Sequence, residues 1–148
     1  MKLHFGSERW NQAAAFALRY EVFVKEQHIS IEDEFDKLDT PDRKYFVLYE
    51  GREVVGTLRY ELAEEGIVQP DRLCVQEDYR RKGMGSKLMK ALEDKAIAEG
   101  CTTSTLSAEI SVVPFYEKLG YEKKSGTYLE DNILCVKMSK ELPVSTEG

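Results

Sequence analysis

The sequence predicts a mixed α/β (α+β) fold, and three observations carry that prediction. Met84, Leu88, Leu92 and Ala96 recur every four residues, the spacing of a buried helical face. Apolar strand-like runs flank that stretch on both sides, at Leu73-Cys74-Val75 and at residues 104–108 (STLSA). Near the middle, Tyr45 to Tyr49 and a second run through Leu58, Tyr60 and Leu62 face each other across Glu50-Gly51-Arg52, a hairpin pattern. A strand-helix-strand crossover demands parallel pairing and a hairpin demands antiparallel pairing. The sheet is therefore expected to be mixed, with about six to seven strands and helices on both faces.

The elements follow in order. Residues 2–5 alternate polar and apolar and open the chain as a strand, after which Ser7 caps a helix carrying Phe16, Tyr20 and Phe23. From Lys25 to Lys44 the periodicity fails and Glu32, Asp33, Glu34, Asp36, Asp39 and Asp42 gather, the signature of a long polar loop with a helical turn. The hairpin comes next, with Arg59 and Glu61 alternating between the apolar positions of its second strand. A third strand starts after Gly66, contains Pro70, and is expected to be irregular near it because proline lacks a backbone donor. The helix from Met84 stops at Gly100. Residues 104–108 form a buried strand, a short helix begins near Pro114, and residues 132–139 close the fold as a strand. The final ELPVSTEG reads as a frayed tail, so one domain over residues 1–142 and a tail over 143–148 are expected.

With 148 residues, 42% apolar and 32% charged, the chain has the balance of an ordinary globular protein and enough length for one core. A formal charge of -6 argues against a broad grip on nucleic acid or an anionic membrane. Cys74, Cys101 and Cys135 form no C-x-x-C pair, which suggests neither a disulfide framework nor a metal site. No apolar run reaches signal or transmembrane length, and a cytoplasmic location is expected.

The chemistry concentrates in YRRKGMGSKL, residues 79–88. The first amides of a helix lack intrahelical partners and carry partial positive charge, so a strand-to-helix turn is a natural anion site. Gly83 and Gly85 admit backbone angles that bring an anion close to those amides, and Arg80, Arg81 and Lys82 add charge. A phosphate or pyrophosphate fits this pattern, and so does a plain solvated turn. The spacing matches neither the P-loop nor the dinucleotide G-x-G-x-x-G.

VQEDYRRKGMGSKLMKALEDKA resembles the acetyl-CoA segment of the GNAT N-acetyltransferases, where a [RQ]-x-x-G-x-[GA] loop joins a strand to a helix. About thirty residues on, SVVPFYEKLGYE resembles the second signature of that family through Phe115-Tyr116, Gly120 and Tyr121. LRYEVFVKEQHISIEDEFDKLD is similar to the ElaA/YjcF-type branch, whose members carry R-x-x-VFV-x-EQ followed by acidic residues. The resemblance implies a GNAT fold with a mixed sheet parting between its fourth and fifth strands. It also implies acetyl-CoA as cosubstrate, with the pyrophosphate on the backbone of Arg81, Lys82, Gly83, Met84, Gly85 and Ser86. Arg80, Arg81 and Lys82 would lend charge, Leu73, Cys74 and Val75 would meet the pantetheine, and Phe115 and Lys118 would add further cofactor contacts.

Acetyl transfer to an amine needs a polarised thioester carbonyl, a neutral amine and a proton donor for the thiolate. By resemblance, the Val75 N–H is the oxyanion donor and Tyr116 the general acid. For the base, Asp71 and Glu109 are candidates, and each is equally a surface ion-pair residue. Related sequences of the branch often carry Gln where this chain has Glu109, and His where it has Ser111 and Cys135. Cys74 on an apolar strand reads as a buried inert thiol. His4 and His28 lie outside the motifs and read as surface or packing residues.

Phe23, Glu26 and Gln27 are expected to line the acceptor pocket, and the acidic loop either draws a cationic acceptor or is simply solvated. The expected activity is acetyl-CoA-dependent N-acetylation of a primary amine on a small molecule or peptide. The alternative is a silent CoA-binding sensor or interaction module. A homodimer is a further expectation from the resemblance; nucleic-acid, membrane and metal partners are not expected.

Overall fold

The computed structural model describes residues 1–144. Eight strands are present: β1 (Lys2–Gly6), β2 (Tyr45–Glu50), β3 (Glu53–Glu64), β4 (Ile67–Val75), β5 (Thr103–Glu109), β6 (Glu122–Lys123), β7 (Tyr128–Glu130) and β8 (Ile133–Glu141). Helices α1 (Arg9–Arg19), α2 (Ile31–Glu34), α3 (Met84–Ala98) and α4 (Val113–Lys118) join them. A π-helical segment, Tyr20–Glu26, continues α1. Strand order is β1-β2-β3-β4-β5-β8-β6, with β7 also on β8. Only the β4–β5 contact is parallel among the registers recorded for the described residues, so the expected mixed sheet is what forms. Strands β6 and β7 escape a sequence reading because two or three residues are too few to show a period.

The chain forms two compact units, one from Met1–Arg59 with Arg72–Lys90 and one from Tyr60–Asp71 with Ala91 onward. In the first, β1 pairs antiparallel with β2 from Lys2↔Tyr49 to Gly6↔Tyr45, and β2 with β3 from Phe46↔Leu58 to Glu50↔Glu53. Ala15 of α1 seats on Tyr45 and Val47, flanked by Phe16, Tyr49 and Val54. Leu18 and Val22 meet Cys74 of β4, with Phe23 packed alongside. Buried Asn11 donates to the Gly6 and Tyr45 carbonyls at 3.0 and 2.9 Å and accepts from the Tyr49 hydroxyl at 2.7 Å, stitching the helix to both strands. Gly56 of β3 permits close packing: a Cβ there would lie 2.8 Å from Leu88 Cδ1 and 3.2 Å from the Cys74 carbonyl oxygen.

In the second unit, β4 pairs with β5 through Ile67↔Thr103 and Val68↔Ser104, while β5 pairs with β8 along its whole length from Thr103↔Glu141 to Glu109↔Cys135. The Tyr121 hydroxyl, buried against α3, donates to Glu93 Oε2 at 3.1 Å and accepts from the Ser104 hydroxyl at 2.8 Å. Lys140 Nζ reaches Glu93 Oε1 at 2.8 Å.

Several local expectations are corrected. Ser7 is not the cap of α1; Glu8 is, its carbonyl accepting from Asn11 and Gln12 while its carboxylate turns to His4. Tyr20 is exposed, because the widening into a π-helix turns the buried stripe onto Leu18, Arg19 and Val22. In β3 the alternation inverts: Arg59 is buried and Leu62 exposed, since Arg59 finds carboxylates inside. The irregularity of β4 does fall near Pro70, at Arg72 with φ 55°, while Pro70 itself is buried within the strand. Glu141 belongs to β8, and buried Leu142 donates its N–H to the Thr102 carbonyl at 2.8 Å, so neither is frayed. Of the expected tail, residues 145–148 lie outside the described residues.

Candidate acyl-CoA site

β4 delivers the chain to Val75, where Gln76 N–H donates to the Val55 carbonyl at 2.7 Å and so anchors the strand end on β3. A single 3₁₀ turn, Glu77–Tyr79, follows, capped by the Gln76 side chain on Asp78 N–H at 2.7 Å. The next residues alternate in conformation. Arg80 is extended, Arg81 is left-handed at φ 64°, and Gly83 is left-handed at φ 81°. That succession turns the chain sharply between the 3₁₀ turn and α3. The Lys87 N–H donates to the Gly83 carbonyl at 3.1 Å, which makes Gly83 the residue at the mouth of α3. The N–H groups of Met84, Gly85 and Ser86 consequently have no partner one turn back in the helix. No atom lies within 4 Å of a Cβ placed on Gly83, so glycine serves conformation here and not space.

The three cations of the turn differ in their ties. Arg80 donates from Nε to the Val75 carbonyl at 2.9 Å and from Nη2 to Glu26 at 2.8 and 3.1 Å. Lys82 folds back on the 3₁₀ turn, 3.2 Å from the Asp78 carbonyl and 5.7 Å above the Tyr79 ring centre. Arg81 is exposed. In the same unit Phe23 packs against the cluster that contains Cys74, while Glu26 and Gln27 are exposed at the end of the π-helical segment. The first unit thus gathers Leu73, Cys74, Val75, residues 80–86, Phe23, Glu26 and Gln27. Burial pushes the Cys74 thiol far above the ordinary range, opposing thiolate formation.

The second unit holds Asp71, Glu109, Phe115, Tyr116 and Lys118. Phe115 and Tyr116 are adjacent on α4, in edge contact at 5.0 Å and 74°, and Tyr116 meets Tyr121 at 5.8 Å and 71°. Burial pushes the Tyr116 hydroxyl up to about 12. Glu109 ends β5 exposed and opposite Cys135, and Lys118 is exposed in the last turn of α4.

One arrangement was absent from the sequence reading. Glu34, Asp36 and Asp39 of the acidic loop are each engaged by arginines from elsewhere in the same unit. Arg19 meets Glu34 at 2.9 Å and Asp39 bidentately at 2.7 and 2.9 Å. Arg59 meets Asp36 at 2.7 Å and Asp39 at 3.0 Å, and Arg72 meets Glu34 at 3.0 Å. Tyr45 adds a hydrogen bond to Asp39 at 2.6 Å. Three guanidiniums balance three carboxylates, and Arg19 and Arg59 are almost fully buried. Desolvation works against the charge on Asp39, yet hydrogen bonds from Arg19 and Tyr45 hold its carboxyl well below the ordinary range. Arg72 ties this loop to β4 one residue before Leu73. The available signal was Arg19 itself, which opens the R-x-x-VFV stretch; Arg59 between apolar neighbours reads as ordinary strand alternation.

A strand that ends in a left-handed, glycine-bearing turn and feeds bare amides into a long helix has the chemistry to receive an anion. A domain description for the acetyltransferase (GNAT) domain matches residues 8–142. The chain belongs to the GNAT family of acyltransferases, in the branch that includes YjcF and ElaA-like proteins. It is 38% identical to the uncharacterized N-acetyltransferase YjcF of Bacillus subtilis over 86% of this chain and 90% of that one. A candidate N-acetyltransferase of Lactobacillus plantarum is 38% identical, with a TM-score of 0.93 over 96% of this chain and 98% of that one. Escherichia coli ElaA shares the fold at a TM-score of 0.83 and 24% identity, over 95% of this chain and 99% of that one. An acyl-CoA cosubstrate and an amine acceptor belong to this family. No described helix is long and apolar enough to cross a membrane.

Proposed function

We propose that the protein transfers an acetyl group from acetyl-CoA directly to a primary amine on a small molecule or peptide. The observation that carries this reading is the turn at Arg81 and Gly83 opening onto the amides of Met84, Gly85 and Ser86. A pyrophosphate set there would accept hydrogen bonds from the backbone, which resists substitution of any one side chain, and charge from Arg80, Arg81 and Lys82 would add to it.

Phe115 and Lys118 are assigned to the cofactor with Leu73, Cys74 and Val75, and the Val75 N–H is assigned to the carbonyl oxygen as negative charge builds there. Tyr116 is the assigned donor to the sulfur. A phenol near 12 gives its proton to an alkyl thiolate, ~8.5 on the cysteine scale, only uphill, so its role is hydrogen bonding to the leaving thiolate. An alkyl ammonium, ~10.4 on the lysine scale, must lose its proton before attack, and either Asp71 or Glu109 is the candidate base. The amine lone pair then forms the C–N bond, the C–S bond breaks, and CoA leaves as thiolate, which takes up, directly or through water, the proton that the new amide nitrogen loses. The acceptor side is assigned to Phe23, Glu26 and Gln27, within a single domain over residues 1–142.

The test is a calorimetric titration with acetyl-CoA beside CoA, ATP and NAD, on the natural protein and on a Gly83→Val, Gly85→Val variant. Selective acetyl-CoA binding, lost in the variant, followed by acetylation in a screen of primary amines, is the expected result. Binding without turnover on any amine would leave a CoA-responsive module. No CoA binding by folded protein would end the assignment.

A further inference from the structure

Arg80 divides its guanidinium between two partners. Nε donates to the Val75 carbonyl at 2.9 Å, and Nη2 sits 2.8 and 3.1 Å from the carboxylate oxygens of Glu26, a residue 54 positions away in the chain. Each side chain of the pair is 38% exposed, so the contact is screened and contributes little to folding. Its location gives it another role. Arg80 begins the turn that leads to the bare amides of α3, and Glu26 ends the π-helical segment that carries Phe23. With Nε held by the strand, the head group moves about a fixed point. A diphosphate seated on the α3 amides and the Glu26 carboxylate are then two anions claiming one cation.

We propose that Glu26 competes with the diphosphate of acyl-CoA for Arg80. The inference rests on the acyl-CoA assignment above and deepens it. When the cosubstrate takes Arg80, a carboxylate is released at the end of the segment assigned to the acceptor, so the amine favoured there is a cationic one and its site strengthens as the cosubstrate binds. Glu26 thereby sets the affinity of the diphosphate site from outside that site and links it to the acceptor side through a single ion pair.

The sign of one substitution decides it. CoA is titrated calorimetrically at physiological ionic strength into the full-length protein, Glu26→Gln, Arg80→Gln and the double variant, each shown to be folded by its thermal melt. Competition predicts that Glu26→Gln tightens CoA binding about two- to five-fold, the range an exposed ion pair allows. It also predicts that Arg80→Gln weakens binding and that Glu26→Gln changes nothing once Arg80 is gone. Weaker binding in Glu26→Gln would mean that Glu26 holds Arg80 in place for the ligand, and unchanged binding would mean no exchange; either overturns the proposal. Equal tightening with and without Arg80 would show a general field effect and overturn it too. Failure of the natural protein to bind CoA would remove the acyl-CoA assignment itself, whereas the preceding outcomes leave that assignment standing.

Discussion

Two charged segments of this protein are used in opposite ways. The basic turn from Tyr79 to Leu88 keeps much of its charge at the surface and presents backbone amides, held by left-handed residues at 81 and 83. In the acidic loop from Glu32 to Asp42, Glu34 is buried, the Asp39 side chain is largely covered, and side chain meets side chain around Arg19 and Arg59. The comparison teaches that a run of like charge does not report its own exposure. What decides is whether counter-charges come from elsewhere in the fold, and here Arg19, Arg59 and Arg72 come from three separate elements.

The largest effect expected from this contrast is at Arg19. Replacing it with Met leaves Glu34 and Asp39 desolvated with part of their counter-charge removed, which costs about 3–5 kcal/mol. For a chain of this size that lowers the melting temperature by roughly 6–20 °C. A loss below about 1 kcal/mol in chemical denaturation would show the loop to be solvated after all. The same network dictates the acid limb of stability. Asp36 and Asp39 have folded carboxyls below their unfolded values, each through arginine contacts that outweigh desolvation. Their contribution is therefore complete above the unfolded range near ~4 and falls away as pH drops below it. Burial raises Glu34 despite Arg72 and Arg19, and it works in the other direction. With two lowered groups against one raised, melts between pH 5 and 3 should show stability falling with pH, and Asp39→Asn should make that fall shallower. An unchanged slope in Asp39→Asn would assign the limb to other carboxylates.

The two segments also differ in legibility. The glycine turn could be read as a strand-to-helix turn because Gly83 and the helical period that starts at Met84 mark it locally, although Gly85 lies inside α3 without a left-handed backbone and the left-handed Arg81 carries no such mark. The network could not, because Arg59 in a strand carries no local mark of the carboxylates it meets 20 and 23 residues earlier in the chain. The same reasoning covers a smaller miss. The shift of α1 into a π-helix moved the buried face from Tyr20 to Arg19 and Val22, since it depends on no residue type that signals it.

A middle-sized effect separates space from conformation among the glycines. Gly56→Ala pushes a methyl to 2.8 Å from Leu88 and 3.2 Å from a backbone oxygen of β4. Leu88 can turn aside, but the Cys74 carbonyl cannot without moving the strand, so a loss of about 1–3 kcal/mol is expected. Acyl-CoA affinity should fall with it, because β4 and α3 are the two elements that shape the turn. Gly83→Ala meets no atom and pays only for a left-handed backbone, about 1 kcal/mol. Urea denaturation of the two variants side by side checks the order, and a larger loss at Gly83 would place it in a packed environment.

The smallest effect on stability, and the sharpest on mechanism, is expected from Arg81→Gly. The substitution keeps a left-handed backbone at φ 64° and removes only the side chain. Relief of the left-handed strain, about 1 kcal/mol, is offset by the greater freedom glycine gives the unfolded chain, so stability should change by less than about 0.5 kcal/mol. If the amides hold the diphosphate, CoA binding should weaken only a few-fold at low salt. The difference from the natural protein should then shrink as ionic strength rises and the Debye length falls below about 8 Å. A loss that persists at high salt would mean that the Arg81 side chain grips the phosphate directly, and the basic turn would then resemble the acidic loop more than its exposure suggests: a segment whose side chains, and not its backbone, do the binding.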